Sequence, residues 1–293
     1  MKQTFFFIII FFVSIQHNFS QKLVLSDQSE ISIITAGPGD VLYEAFGHSA
    51  IRVKDPTLNL DIIFNYGLFD FNQPNFYVNF VKGRLLYRLG KQSFRRFITS
   101  YDYQQRWVKD QVLNLSLVDR KKIFEYLNKN SLPENAEYLY DPYFNNCATK
   151  LRDIAKEILG NKIQFPSSFS DENFTLRQLM NQELPWNTWG SFGINLALGN
   201  TLDKELIADN YMYLPDYVHK GFQKATITEN KITTPLVLEE RQLLRYPEKL
   251  IDIQWYNPFF VFSLLLLLTI VVTFRDQQRN IRSTCLDFTL FFV

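Results

Sequence analysis

A run of sixteen residues without a charge, Phe259 to Phe274, lies near the C-terminal end of the sequence. Counted from Trp255 the segment is twenty residues long. As a helix it would span about 30 Å, the thickness of the hydrocarbon core of a bilayer. Trp255 and Tyr256 suit one membrane–water interface, and arginines follow on the other side. We therefore predict a transmembrane helix over residues 255–275; the alternative is a buried helix of a soluble protein.

The N-terminal end carries a second apolar run. Lys2 precedes Phe5 to Ile15, which is too short to span a membrane comfortably and is typical of a secretory signal peptide, here predicted over residues 1–20. The alternative is an uncleaved N-terminal anchor. By the positive-inside rule the arginine side is cytoplasmic, so residues 21–254 should form a domain outside the membrane. Residues 285–293 begin another apolar run, interpreted as the start of a truncated second hydrophobic segment.

The composition bounds what the exported part can do. With 293 residues, 46% of them hydrophobic, the chain can bury the core of one or two domains. A net charge of +1 with both signs interspersed gives no indication of nucleic-acid binding. The exported part contains Cys147, His48 and His219 as its only thiol and imidazoles. Their spacing does not resemble a zinc site, so we expect no metal and no cofactor.

The residue pattern of the exported part predicts an α+β fold. Alternating apolar and polar residues predict strands over Glu30–Ala36, Gly47–Val53, Asp61–Tyr66, Gly83–Leu89 and Gln104–Leu115, and a strand or hairpin over Thr226–Glu239. Helical spacing is found over Ser93–Ser100, Leu117–Asn128, Cys147–Leu159 and Thr175–Glu183. The second and third strands should pair as a hairpin. Depending on its register, the hairpin places Asp61, Asn65 or Tyr66 beside His48.

Cys147 stands at the start of one predicted helix. Asn145 and Asn146 precede it, and asparagine is a good N-cap because its side-chain oxygen accepts a free N–H of the first turn. A thiol in that turn faces the positive end of the helix dipole, which favours the nucleophilic thiolate. The alternative is a cysteine that serves as a small buried hydrophobe.

Acyl chemistry on a cysteine also requires a base and a third polar group that orients the base. His48, on the second predicted strand, is the candidate base, although a histidine on a strand is also commonly a hydrogen-bonded core residue. His219, close to Pro215, is more typical of a satisfied or surface histidine. No Gly-x-Ser-x-Gly motif indicates a serine nucleophile instead.

Two motifs carry a resemblance to known enzymes. Gly47-His-Ser-Ala-Ile-Arg-Val53, followed 99 residues after the histidine by Asn-Asn-Cys147, resembles the circularly permuted NlpC-type branch of papain-like thiol enzymes, a relative of which is lecithin–retinol acyltransferase. More closely, residues 30–220 resemble a periplasmic family of the Bacteroidetes. Its recurring motifs stand here as Phe46–Arg52, Phe64–Phe71, Phe144–Cys147 and Met212–Pro215.

This resemblance implies an antiparallel sheet with a catalytic helix, in the permuted NlpC/papain-like arrangement. It also implies that residues 21–254 are a periplasmic thiol-enzyme domain attached to the inner membrane. It implies Cys147 as nucleophile and His48 as general base, with the third position on Asn65 and Asp61 second. The backbone N–H of Cys147 and the side chain of Asn146 would hold the oxyanion, with Asn145 supporting the site.

The resemblance also implies an activity, that of a lipoprotein N-acyltransferase. The partners would be a phospholipid acyl donor, a lipoprotein whose N-terminal cysteine amine accepts the chain, and the membrane. The aromatic stretches Phe69–Phe80 and Trp186–Phe192 would form an acyl groove or simply pack the core. The alternatives are a thiol amidase of cell-wall peptides and a membrane-anchored binding module without activity.

Overall fold

The computed structural model describes residues 23–70, 72–169, 173–249, 252–284 and 287–288. The predicted signal peptide and most of residues 285–293 lie outside these ranges. The strands in the described part are β1 Glu30–Ala36, β2 His48–Asp55, β3 Leu60–Leu68, β4 Leu86–Ser93, β5 Val108–Leu113, β6 Glu137–Leu139, β7 Ile163–Gln164, β8 Thr226–Glu229, β9 Ile232–Pro235 and β10 Val237–Leu244. The helices are α1 Phe76–Val81, α2 Phe94–Tyr103, α3 Leu117–Asn130, α4 Cys147–Leu159, α5 Leu176–Glu183, α6 Trp189–Leu198, α7 Ala208–Tyr211, α8 Pro215–Lys224 and α9 Pro258–Arg279.

A large antiparallel sheet organises the fold. Within the described residues it has seven strands in the order β10-β5-β1-β2-β3-β4-β6, and β7, β8 and β9 form a separate small sheet. β2 and β3 pair as the predicted hairpin, with Ile51 opposite Phe64 and Asp61 opposite Lys54. This register moves Asp61 toward the far end of β2 from His48. The α+β class predicted from the sequence is confirmed.

The two faces of the sheet are covered by different helices. Ile51 and Val53 of β2 pack into the main core together with Leu151 and Ile154 of α4. α4 lies on β2 and β3, flanked by α3 and α8. On the opposite face Ala50 contributes to a second core beneath α2. Successive side chains of β2 therefore point alternately into the two cores, as expected for a strand.

Helix α9 differs from the other helices. Among the described residues it is the helix that is long and apolar enough, by length and composition, to cross a membrane. Only 6% of its most apolar window is buried against the rest of the protein, whereas a core helix of a soluble protein would be mostly covered. A helix spanning Pro258–Arg279 agrees with the apolar segment predicted over residues 255–275.

An ion-pair network centred on the buried Arg52 ties β2 to its neighbour β3 and, across β1, to β5. The Arg52 guanidinium donates to Asp61 at 2.7 Å and to Asp110 at 2.9 Å, and it lies 3.5 Å from the centre of the Phe94 ring. Burial raises the pKa of Asp110, and Arg52 opposes this effect. Asp110 is fully buried, so its carboxylate depends on this partner.

We expect Arg52→Ala to lower the free energy of unfolding by about 3–5 kcal/mol, because it leaves the buried Asp110 carboxylate without its guanidinium partner. Denaturant unfolding of the full chain in detergent measures this change. The matched control is Arg95→Ala on exposed α2 surface, expected within about 0.5 kcal/mol of the wild type. Equal effects of the two substitutions would contradict the role given to the network.

Candidate functional site

The start of α4 is fixed by a capping box around Asn146. Its side-chain oxygen accepts the backbone N–H groups of Ala148 and Thr149, each at 2.9 Å. In return the Thr149 hydroxyl accepts the backbone N–H of Asn146 at 2.8 Å. Two donors of the first turn that lack intrahelical acceptors are thereby satisfied. Cys147 becomes the first residue of the helix, as predicted from the sequence.

The amide group of Asn146 has a different role from the one predicted. It donates to the carbonyl oxygens of Pro142 at 2.7 Å and Tyr213 at 2.9 Å, so both of its protons are used. The expectation that this side chain stabilises an oxyanion is therefore corrected: Asn146 connects α4 to the segment before α8. Asn145 likewise donates to the Leu139 carbonyl and supports the loop before α4.

The structure brings His48, Asn65 and Cys147 together where β2 and α4 begin. Nε2 of His48 lies 2.6 Å from Oδ1 of Asn65, and the ring and the Cys147 thiol are close enough for each to shift the pKa of the other. With Nε2 donating to Asn65, Nδ1 remains to accept the proton of the thiol. Asn65 is buried, whereas His48 and Cys147 are only partly buried. This geometry suits a nucleophile, a base and an orienting group.

The other candidates for the third position point elsewhere. Asp61, the second choice, pairs with Arg52 and does not contact His48. Tyr66 accepts a hydrogen bond from Asn130 on its hydroxyl. The hairpin register places Asp61 opposite Lys54, far from the histidine, and side-chain alternation directs Tyr66 into the main core, so Asn65 is the candidate that bonds His48.

The remaining imidazole lies apart from this group. His219 is on α8, and its Nε2 is 3.3 Å from a Glu240 carboxylate oxygen. Among the described residues, no group of three or more histidine, cysteine or acidic side chains could hold a metal ion.

Each member of the Cys147–His48 pair favours the charged form of the other. Burial by itself would raise the pKa of the thiol, but the charge and hydrogen bond of His48 and the backbone N–H groups of Ser49 and Ala148 outweigh it, so the pKa of Cys147 is lowered. Burial likewise opposes the charged imidazole, but Cys147 and Asn65 outweigh it, so the pKa of His48 is raised. The pair therefore favours thiolate and imidazolium.

Gly67 is a site residue that the sequence analysis did not identify. The register between β3 and β4 shifts between Asn65 and Leu68, and Gly67 lies in this irregularity with a φ of +93°. A Cβ at Gly67 would lie 3.5 Å from Cβ of Cys147 and 3.9 Å from Cε1 of His48. Glycine permits this positive φ and the close approach of the strand to the thiol.

Tyr87, Tyr140 and Phe69 form an aromatic surface, and the charge of the thiol acts on two of its members. The Tyr87 and Tyr140 rings stack with centroids 4.0 Å apart, and the Phe69 ring follows at 5.1 Å from Tyr87. Burial and, secondarily, the charge of Cys147 raise the pKa of both Tyr87 and Tyr140. The buried hydroxyl of Tyr138 lies near the same charge, and burial, followed by that charge, raises its pKa. One sign of these aromatic neighbours was visible in the sequence, because Tyr138 and Tyr140 lie shortly before Cys147.

Comparison with protein families gives one match. The family described as the Lnb N-terminal periplasmic domain matches residues 16–182, more than half of the 293-residue chain. The matched region contains His48, Asn65 and Cys147. No curated protein and no solved structure matches the chain.

We expect alkylation of Cys147 by iodoacetamide to reach half of its maximal rate at a pH below about 8.5, the usual thiol pKa. In His48→Ala the midpoint should move to higher pH, because the charge and hydrogen bond that lower the thiol pKa are lost. The rate at pH 6 should then fall by roughly an order of magnitude. The measurement uses a Cys285→Ser background, so that Cys147 is the single thiol. His219→Ala is the control, and coincident profiles for the two histidine variants would rule out the pair.

Gly67→Ala should slow the same alkylation reaction. The added Cβ strains a backbone with a φ of +93° and crowds Cys147 and His48. The control is Gly83→Ala, where φ is also positive, at +63°, but no atom lies within 4 Å of the new Cβ. An equal loss of reactivity in both variants would show that backbone strain, and not proximity to the thiol, causes the effect.

Proposed function

This chain belongs to the family of the Lnb N-terminal periplasmic domain, and we propose that it is a thiol acyltransferase anchored in the inner membrane. The family indicates a periplasmic role in lipoprotein processing. The observation that carries the proposal is the Cys147–His48–Asn65 arrangement beside an aromatic surface. The acyl donor is a membrane phospholipid, and the acceptor is the α-amino group of a lipoprotein's N-terminal cysteine.

In the first half-reaction the thiol becomes acylated. His48 takes the proton of Cys147, and the thiolate sulfur attacks the carbonyl carbon of a phospholipid ester. When the tetrahedral intermediate collapses, the carbon–oxygen bond breaks and His48 returns its proton to the departing alkoxide. A lysophospholipid leaves, and the acyl chain remains on Cys147 as a thioester.

In the second half-reaction the amine takes the acyl chain. The nitrogen of the lipoprotein's N-terminal cysteine attacks the thioester carbonyl and gives a proton to His48. The carbon–sulfur bond breaks, which leaves an amide on the lipoprotein and restores the thiolate and imidazolium. Asn65 keeps the imidazole ring oriented through both steps by holding Nε2.

The oxyanion of each intermediate needs donors beside the sulfur. The backbone N–H of Cys147 lies in the first turn of α4, where no intrahelical acceptor is available, and it is our first candidate. The Tyr138 hydroxyl, which is buried near the charge of Cys147, is the second. Asn146 is not proposed, because Pro142 and Tyr213 already accept both of its amide protons.

The surroundings of the thiol favour a lipid over a peptide. The Tyr87, Tyr140 and Phe69 rings form the aromatic surface on which we place the acyl chain attached to Cys147. A thiol amidase of cell-wall peptides would use the same pair of residues but needs a polar groove. The order of histidine before cysteine, with the cysteine at a helix start against an antiparallel sheet, supports the permuted NlpC/papain-like arrangement for this domain.

We expect Cys147→Ala and His48→Ala to abolish N-acylation of lipoproteins in a strain depleted of the wild-type protein. Asn65→Ala should lower it by roughly 10- to 100-fold, since the ring keeps its position less well. Mass spectrometry of lipoprotein N-termini measures the acylated fraction. His219→Ala is the matched control and should stay close to the wild type, because its contact is with Glu240.

A labelled phospholipid separates the acyltransferase from the amidase. With the acceptor withheld, the labelled acyl chain should accumulate on Cys147 in a bond that hydroxylamine cleaves. Full lipoprotein acylation by Cys147→Ala, or cleavage of cell-wall peptides with no acyl-enzyme, would exclude the proposal.

A further inference from the structure

Helix α6 is an apolar helix that the protein leaves largely uncovered. From Leu184 to Leu202 the sequence has no charged residue. Trp186 is 74% exposed and Leu196 is 72% exposed. A soluble protein surface rarely exposes so many large aromatic and aliphatic side chains close together. Such an exposed patch marks a surface that contacts another apolar partner.

The polar side chains of this helix face the protein instead. Ser191 is buried, and Asn195 donates to its backbone oxygen at 2.8 Å and to Asn181 at 3.2 Å. Arg177 donates to Asn195 in turn. Ile194 and Leu198 of α6 pack against the main core, but its polar groups also face inward, so the outer surface of the helix is apolar, unlike that of a surface helix in water.

Helix α6 is attached to the first turn of α9. The indole N–H of Trp189 donates to the Tyr256 carbonyl at 2.7 Å, and the Asn187 side-chain oxygen accepts the Phe259 N–H at 3.1 Å. The Phe262 ring lies 6.1 Å from that of Trp189. Because first-turn N–H groups of a helix lack internal acceptors, Asn187 satisfies one that α9 leaves free. The exposed surface of α6 is therefore continuous with that of the candidate membrane helix.

We propose that α6 lies in the outer interface of the bilayer that α9 crosses, with Trp186 and Leu196 immersed in lipid. Its ten residues are too few to span the hydrocarbon core, so it can lie only along the boundary. Tryptophan is enriched at this depth because its ring is apolar and its N–H is polar. A groove of about 500 Å³ between α6 and α9, lined by Phe192, Phe259 and Leu266 among others, faces the same lipid.

The immersed surface extends from α6 to the catalytic histidine's own strand. Gly190 contacts Leu42, since a Cβ there would lie 2.6 Å from Cδ1 of that leucine. Leu42 and its neighbour Tyr43 are exposed in the short turn before β2. The Tyr43 ring then lies 6.0 Å from the Phe69 ring of the aromatic surface described above. If the proposed acyl transfer is accepted, this line of apolar side chains leads a phospholipid chain from the bilayer to Cys147.

Quenching by brominated lipid tests the position of α6 directly and does not depend on activity. The full chain is reconstituted into phosphatidylcholine vesicles with or without bromine on the acyl chains. In Trp107→Phe/Trp255→Phe the emission comes only from Trp186 and Trp189. We expect bromine to lower it roughly twofold or more, since a helix lying about 5–10 Å into the boundary brings its rings to that depth.

The matched control retains a tryptophan on the sheet. In Trp186→Phe/Trp189→Phe/Trp255→Phe only Trp107, next to β5, emits, and bromine should leave it unchanged. Unquenched Trp186 and Trp189 emission would overturn the proposal, whether the protein is then monomeric or forms a dimer through α6. Quenching of all variants to the same extent would overturn it as well, because the effect would not be specific to α6.

Discussion

One buried asparagine side chain determines where the reactive groups of this protein meet. Asn146 accepts two N–H groups of α4 and donates to two carbonyl oxygens, one of them at Tyr213 before α8. The capping bonds end the preceding loop and start α4 at Cys147, while the amide bonds fix the helix against a distant segment. Since α4 also packs on β2 and β3, the thiol is held where β2 begins. The position of the sulfur beside His48 depends on these few hydrogen bonds.

The position of Cys147 at the start of a helix was predictable from the sequence, because the residues that determine it are its immediate neighbours. A capping asparagine, helical spacing and a single thiol are properties of neighbouring residues, and the structure starts α4 at Cys147 as the sequence indicated. The strands β1 and β2 were likewise predicted from alternation alone. The choice of Asn65 over Asp61 required the register of the hairpin, which the residues of one strand do not specify.

Features that depend on distant contacts were missed. The role of Gly67 follows from the irregular pairing of β3 with β4 and from its approach to α4, neither of which leaves a local signal. Helix α6 was missed for a different reason: it contains two glycines and is apolar on most sides, so it lacks the 3.6-residue periodicity by which surface helices are recognised. The same absence of periodicity becomes meaningful once α6 is seen beside α9.

The two hydrogen bonds between the α6 region and residues 256 to 259 have a geometric consequence. A domain on a flexible tether would sample many distances and tilts above its membrane. Here Trp189 and Asn187 join the domain to the base of α9 at two separate points, which removes most of that freedom. In the proposed acyl transfer the thiol is thus held at nearly constant height above the bilayer, and an acceptor must present its amine at that level. Under that proposal, selection among acceptors begins with how far each one extends from the lipid surface, before any side chain recognises its sequence.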